Sequence, residues 1–163
     1  MLKFNRFYLI VLILISTCIV ANAEPCSKLP FGTEWGQTQA EVKQTMLRYG
    51  YILEERNNTL YHVIPPKNGY SSSSHFIFND EGRLYWIMLF GICDNAQCFV
   101  GFFNKVYKRL ETSGYTKMYS DGKASHTYFD NSTNSFVGLK GTKKFKRYIV
   151  LLEFEQAERA PIK

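Results

Sequence analysis

Apolar residues along this chain alternate between two periods, and the change of period divides the chain into elements. From residue 38 to 50 the spacing is helical: Ala40, Val42, Met46 and Leu47 fall roughly on one face. Thr38 stands where an N-cap is needed, and Glu41 three residues on completes a capping box. Gly50 fits the left-handed stop. A stronger helical pattern runs through Phe99, Phe102, Phe103, Val106, Tyr107 and Leu110 and stops at Ser113-Gly114. Elsewhere the pattern is that of strands. The first half predicts strands at 51–56, 59–64, 75–78 and 83–90; the second predicts them near 115–119, 124–129, 134–140 and 147–155. Asn57-Asn58, the 79–82 segment NDEG, Asp121-Gly122 and Asp130-Asn131 supply turns. Pro65-Pro66 is expected to end the second strand, and the 67–74 segment KNGYSSSS to form a polar loop. Trp35 is expected to pack beneath the first helix, because Gln37 cannot make the usual apolar staple before the cap.

The same order recurs 64 positions later. Val42 and Met46 correspond to Val106 and Leu110, Gly50-Tyr51 to Gly114-Tyr115, His62 to His126, Arg83 to Arg147 and Phe90 to Phe154. Each helix is followed by four predicted strands with no βαβ alternation, which implies antiparallel pairing. The expected fold is α+β: two tandem helix-plus-four-strand repeats, roughly 31–91 and 95–156, forming one antiparallel sheet with the helices on one face.

If the helices cover one face, the other is left to a partner. The strand RLYWIMLF (83–90) is apolar on both parities. Pairing it by the repeat places Leu84, Trp86, Met88 and Phe90 under the helices, together with Tyr148, Val150, Leu152 and Phe154. Tyr85, Ile87 and Leu89, with Ile149 and Leu151, would then line the open face. An exposed apolar and aromatic patch of that kind marks a binding surface, whereas burial on both sides by loops or a homodimer partner is the plainer explanation of such a run. A second feature is GTKKFKR (141–147), which sets Lys143, Lys144, Lys146 and Arg147 around Phe145 in a hairpin-like segment. Such a tip can meet an acidic protein or anionic lipid head groups, or be a solvated turn whose charges discourage aggregation. The run is too short to argue for nucleic acid.

The N-terminus sets the compartment. Lys3 and Arg6 precede an apolar run over 8–20, and Ala21-Asn22-Ala23 follows as a cleavage site. This predicts a secretory signal peptide over 1–23, too short for a stable membrane span, and a single domain over 24–163 of about 140 residues. The location is then periplasmic or secreted. Thr17 before Cys18 fits lipidation poorly, so a soluble product is expected. The net charge of +6 is mildly basic and suits an acidic partner. Cys26, Cys93 and Cys98 remain after cleavage. In an oxidising compartment Cys93 and Cys98 are the expected disulfide, leaving Cys26 unpaired or engaged elsewhere.

Catalytic signals are absent. His62, His75 and His126 have no ligand spacing or paired carboxylates, and Ser71–Ser74 lack the glycines of a nucleophile elbow. No metal, cofactor or catalytic residue is expected. Asn57 and Asn131 lie in glycan-acceptor triplets, relevant only in a eukaryotic source.

The segment GQTQAEV (36–42) resembles the G-x-T-x-x-[QE]-V helix start of small bacterial envelope proteins of the BamE type, and the helix-plus-four-strand plan resembles the β-lactamase-inhibitor-protein-like (BLIP-like) architecture. The resemblance implies an envelope or secreted protein that binds other proteins, and it carries over no catalytic residue. The function expected is therefore a non-enzymatic protein-binding module of inhibitor, immunity or envelope-assembly type. The alternatives are a lipid-surface protein acting through the basic tip and an enzyme of unrecognised type.

Overall fold

The computed structural model describes residues 29–67, 70–122 and 124–157. The expectations for the signal peptide, Cys18 and Cys26 lie outside the described residues. A buried 3-10 turn, Pro30–Gly32, leads into helix α1, Gln39–Arg48. Strands β1 (Glu54–Arg56), β2 (Thr59–Lys67), β3 (Tyr70–Phe78) and β4 (Leu84–Cys93) follow. Helix α2 (Ala96–Glu111) precedes β5 (Thr116–Ser120), β6 (Ser125–Asp130), β7 (Ser135–Lys144) and β8 (Arg147–Gln156). The eight strands form one antiparallel sheet in the order β1-β2-β3-β4-β8-β7-β6-β5. Two meanders thus meet at the centre, where β4 pairs β8 from Trp86↔Glu155 to Cys93↔Tyr148. The class is α+β.

Local sequence explains the helix ends. The Thr38 side chain accepts from the Glu41 amide while the Glu41 carboxylate takes the Thr38 amide at 2.7 Å, so the capping box is complete. Those hydrogen bonds hold the Glu41 carboxyl below the usual carboxylate range. Gly50 adopts φ 77° and lets the Tyr51 amide return to the Met46 carbonyl at 3.1 Å. Asn95 caps α2 by accepting from the Cys98 amide, and Cys93 and Cys98 form the disulfide that ties β4 to this first turn.

Both helices bury their apolar stripes in one core. Val42 and Met46 of α1, and Phe103, Val106 and Leu110 of α2, join Leu60, Phe76, Ile87, Val137, Leu139 and Val150 from the sheet. On α1 the buried stripe is only Val42 and Met46, since Ala40 and Leu47 are exposed. Glycines let α2 approach the sheet closely. A Cβ on Gly91 of β4 would lie 2.5 Å from the Phe102 ring, and one on Gly141 would lie 2.7 Å from the Phe99 ring.

Two expectations need correction. Most of the segment expected as a loop over 67–74 is strand: Lys67 ends β2, β3 starts at Tyr70, and Ser71–Ser74 pair with Ile92, Gly91, Phe90 and Leu89. Nor does Pro65-Pro66 end β2, which runs on to Lys67 through a register shift. Among the described residues no strand pairs with β2 on its β1 side beyond Tyr61, because β1 spans only three residues. Proline is tolerated on such an edge. Trp35 packs against the core, but its indole also reaches across the chain and donates to the Thr133 carbonyl at 3.0 Å and to Ser135 Oγ at 2.9 Å.

Candidate functional site

One irregularity decides which residues face away from the helices. Phe78 pairs with Leu84, yet Ile77 pairs with Trp86, so Tyr85 is an extra residue in a β-bulge. Leu84 is buried, and strict alternation would put Trp86 beside it. The bulge hands the inward position to Ile87 instead, which is fully buried, and then to Leu89, Gly91 and Cys93. Residues directly opposed in an antiparallel pair share a face. Ile87 opposes Phe154, Leu89 opposes Leu152 and Gly91 opposes Val150, all on the core side. Ile87 and Leu89 therefore lie under the helices, contrary to the alternation drawn from the sequence, and Tyr85 occupies the bulge. Ile149 and Leu151 lie on the opposite side, facing Ile92 and Phe90.

The face away from the helices thus carries Trp86, Met88, Phe90 and Ile92 of β4 beside Ile149 and Leu151 of β8. No described helix covers it. All six are half-buried. On β3, His75 opposes Met88 and its ring lies 5.1 Å from that of Phe90, edge to face. Partial burial lowers the pKa of His75 and so favours the neutral imidazole. Tyr61 of β2 continues the row at 6.1 Å from His75, and Phe129 and Phe136 pack at 5.3 Å across β6 and β7.

Carboxylates enter this face at one end, and Lys140 of β7 opposes Leu151 beside the row. Glu153 opposes Met88, and Glu155 opposes Trp86. Burial raises the Glu153 pKa, the like charge of Glu155 adds to the rise, and Lys140 and the Trp86 indole oppose it. Trp86 Nε1 is sealed from solvent and has no hydrogen bond of normal geometry. The face therefore holds two neighbouring carboxylates beside a sealed indole within an apolar, aromatic field.

The basic segment forms the β7–β8 turn. Phe145 and Lys146 occupy the two turn positions, with φ 48° and 67°, and Lys144 pairs with Arg147 below them. Lys143 Nζ sits 5.1 Å from the centre of the Tyr148 ring, and Arg147 Nε is 3.8 Å from Asp94 Oδ1 in an exposed ion pair. The turn stands at the end of the apolar row marked by Ile92 and Ile149, and the carboxylates lie at the other end.

The histidines of β2 and β6 have internal partners. His62 Nδ1 lies 3.1 Å from the Ile52 carbonyl, and His126 Nδ1 lies 2.8 Å from Ser120 Oγ. Gly122 also donates to Ser120, which fits a turn lock better than a nucleophile. Among the described residues no group of three or more His, Cys, Asp or Glu side chains could hold a metal ion, and no helix is long and apolar enough to cross a membrane.

Comparison with protein-family models, curated proteins and solved structures finds no match to this chain. The sequence signal for the face was the doubly apolar 83–90 run; the residues missed were Trp86, Met88, Phe90, Ile92 and His75. Only the bulge separates them from their neighbours.

Proposed function

We propose that the protein is an exported, non-enzymatic module that binds a protein partner with the helix-free face of its sheet. The observation that carries this reading is the contiguous apolar row Trp86, Met88, Phe90, Ile92, Ile149 and Leu151, with no described helix over it. Rows of this kind, rimmed by polar groups, are the cores of interfaces. The Glu153–Glu155 pair calls for a basic group on the partner. Export is supported by the apolar N-terminal run with its cleavage motif and by the Cys93–Cys98 pair, which suits an oxidising compartment. The paired order of helix and four strands supports a tandem duplication whose two sheets share the β4–β8 seam.

The test is capture of a stoichiometric partner by wild type and by Phe90→Lys and Leu151→Lys. Both variants are expected to lose the partner while unfolding within a few degrees of wild type. A steep loss of stability would show that the face is already covered. Sedimentation of wild type as a dimer that Phe90→Lys splits would assign the face to a second copy and overturn the proposal of a different partner.

A further inference from the structure

The β7–β8 ribbon outruns both of its neighbours. β4 stops at Cys93, opposite Tyr148, and β6 begins at Ser125, opposite Lys140. β7 continues to Lys144, so residues 144–147 stand beyond the sheet on both sides. Residues 142–147 are all exposed, and Phe145 at the apex is 87% exposed. Both turn residues have left-handed φ, the conformation that Asn-Gly supplies at least cost. A phenylalanine there is strained and buries almost nothing, so the fold gains little from it. Strain of this kind, kept where the fold does not need it, points to a use outside the fold.

The surroundings of the ring indicate what it meets. A pocket on a protein would surround Phe145 with apolar rim contacts, but its neighbours are Lys143, Lys144, Lys146 and Arg147. The Lys144 Nζ lies 5.6 Å from the ring centre. One ring among four cations on a narrow projection fits a flat anionic surface with an apolar layer just beneath. The β3–β4 turn at the opposite end of the sheet carries exposed Asp80 and Glu81, which such a surface repels. The charges would therefore present the molecule tip first.

We propose that the β7–β8 tip is a bilayer-docking element. Phe145 enters the boundary between head groups and acyl chains of an anionic membrane, while Lys143, Lys144 and Lys146, joined by Arg147 once it leaves its exposed ion pair with Asp94, meet its phosphates. This uses a surface distinct from the apolar face, so the two proposals fail independently.

The test uses the protein recovered from an exporting host, with vesicles of phosphatidylcholine alone and with about 30% phosphatidylglycerol added. Wild type should cosediment with the anionic vesicles at low salt, leave them near about 0.5 M salt, and ignore the neutral ones. Each cation contributes about fivefold to partitioning, so changing all four to Gln should weaken binding by about a hundredfold or more. Phe145→Ala should weaken it by about tenfold. Phe145→Trp, whose ring can enter the same layer, should bind and show a blue shift with anionic vesicles only. Undiminished binding by the four-Gln variant would assign attachment to another segment and overturn the proposal. So would equal binding to neutral vesicles, or a Phe145→Trp emission that does not shift. Failure of wild type to bind any vesicle, with tip variants losing an acidic protein instead, would assign the tip to that protein.

Discussion

Replacing Gly91 with alanine tests the assignment of the two faces of β4 directly. An ideal Cβ at this position would meet Phe102 Cε1 at 2.5 Å, and Cδ1 and Cζ at 3.1 Å. Carbon atoms in contact prefer about 3.5–4.0 Å, so the ring must retreat by roughly 1 Å. Retreat is hard, because α2 is held by buried Phe103, Val106 and Leu110 and by the Cys93–Cys98 bridge at its first turn. Overpacking of this kind costs about 1–3 kcal/mol. The alanine stiffens the unfolded chain, which returns about 0.4–1 kcal/mol. The expected net loss is about 1–2 kcal/mol, read as a lower urea midpoint at unchanged m-value. Phe102→Leu should relieve the clash, so a double-mutant cycle should show favourable coupling of about 1–2 kcal/mol between the two changes. A neutral or stabilising Gly91→Ala, or no coupling to Phe102, would mean that Gly91 faces away from α2. The outward placement of Trp86, Met88, Phe90 and Ile92 would then fall with it.

Two further outcomes follow from local structure. Changing Cys93 and Cys98 together to alanine opens a loop of sequence separation 5, and loop-closure entropy puts the loss at about 2 kcal/mol; urea melts of wild type with and without a strong reductant should show the same difference, and indifference to reductant would refute the bridge's contribution. Glu153→Gln should stabilise the protein at neutral pH, because burial and Glu155 raise the folded carboxyl pKa. Such a group costs stability as pH rises through its unfolded value toward the raised one, so the advantage of the variant should vanish in acid below both values; equal stability at pH 7 would refute it.

Much of the fold was legible because it rests on local chemistry. The first helix is set by Thr38, Glu41 and Gly50, each of which acts on its own backbone within a few residues. The Cys93–Cys98 pair was legible for the same reason, since both cysteines lie at one strand-to-helix junction. What failed depended on neighbours that the sequence does not order. Ser71–Ser74 look like a loop by composition, but all four pair with the apolar β4 and Ser72–Ser74 pair with β2 as well. Pro65-Pro66 look like a stop, but they fall where β2 is an edge. Trp35 finds its acceptors about 100 residues away, beyond the reach of any local rule.

The candidate site failed in part for a sharper reason. A strand that is apolar on both parities gives alternation nothing to choose between, so the face was assigned by carrying a 64-residue offset from β4 to β8. One inserted residue at Tyr85 reverses that assignment for all positions of β4 after it, while Leu84 before it and the whole of β8 still agree. β8 holds its parity because Glu153 and Glu155 mark its outer side. β4 has no charge from Leu84 to Cys93, so the bulge alone fixes its faces. It follows that the binding face and the core of β4 are separated by one backbone irregularity. Deleting Tyr85 would force a choice between exposing Ile87 and Leu89 and breaking the β4–β8 register, and either result costs the fold far more than the side chain at Tyr85 itself contributes.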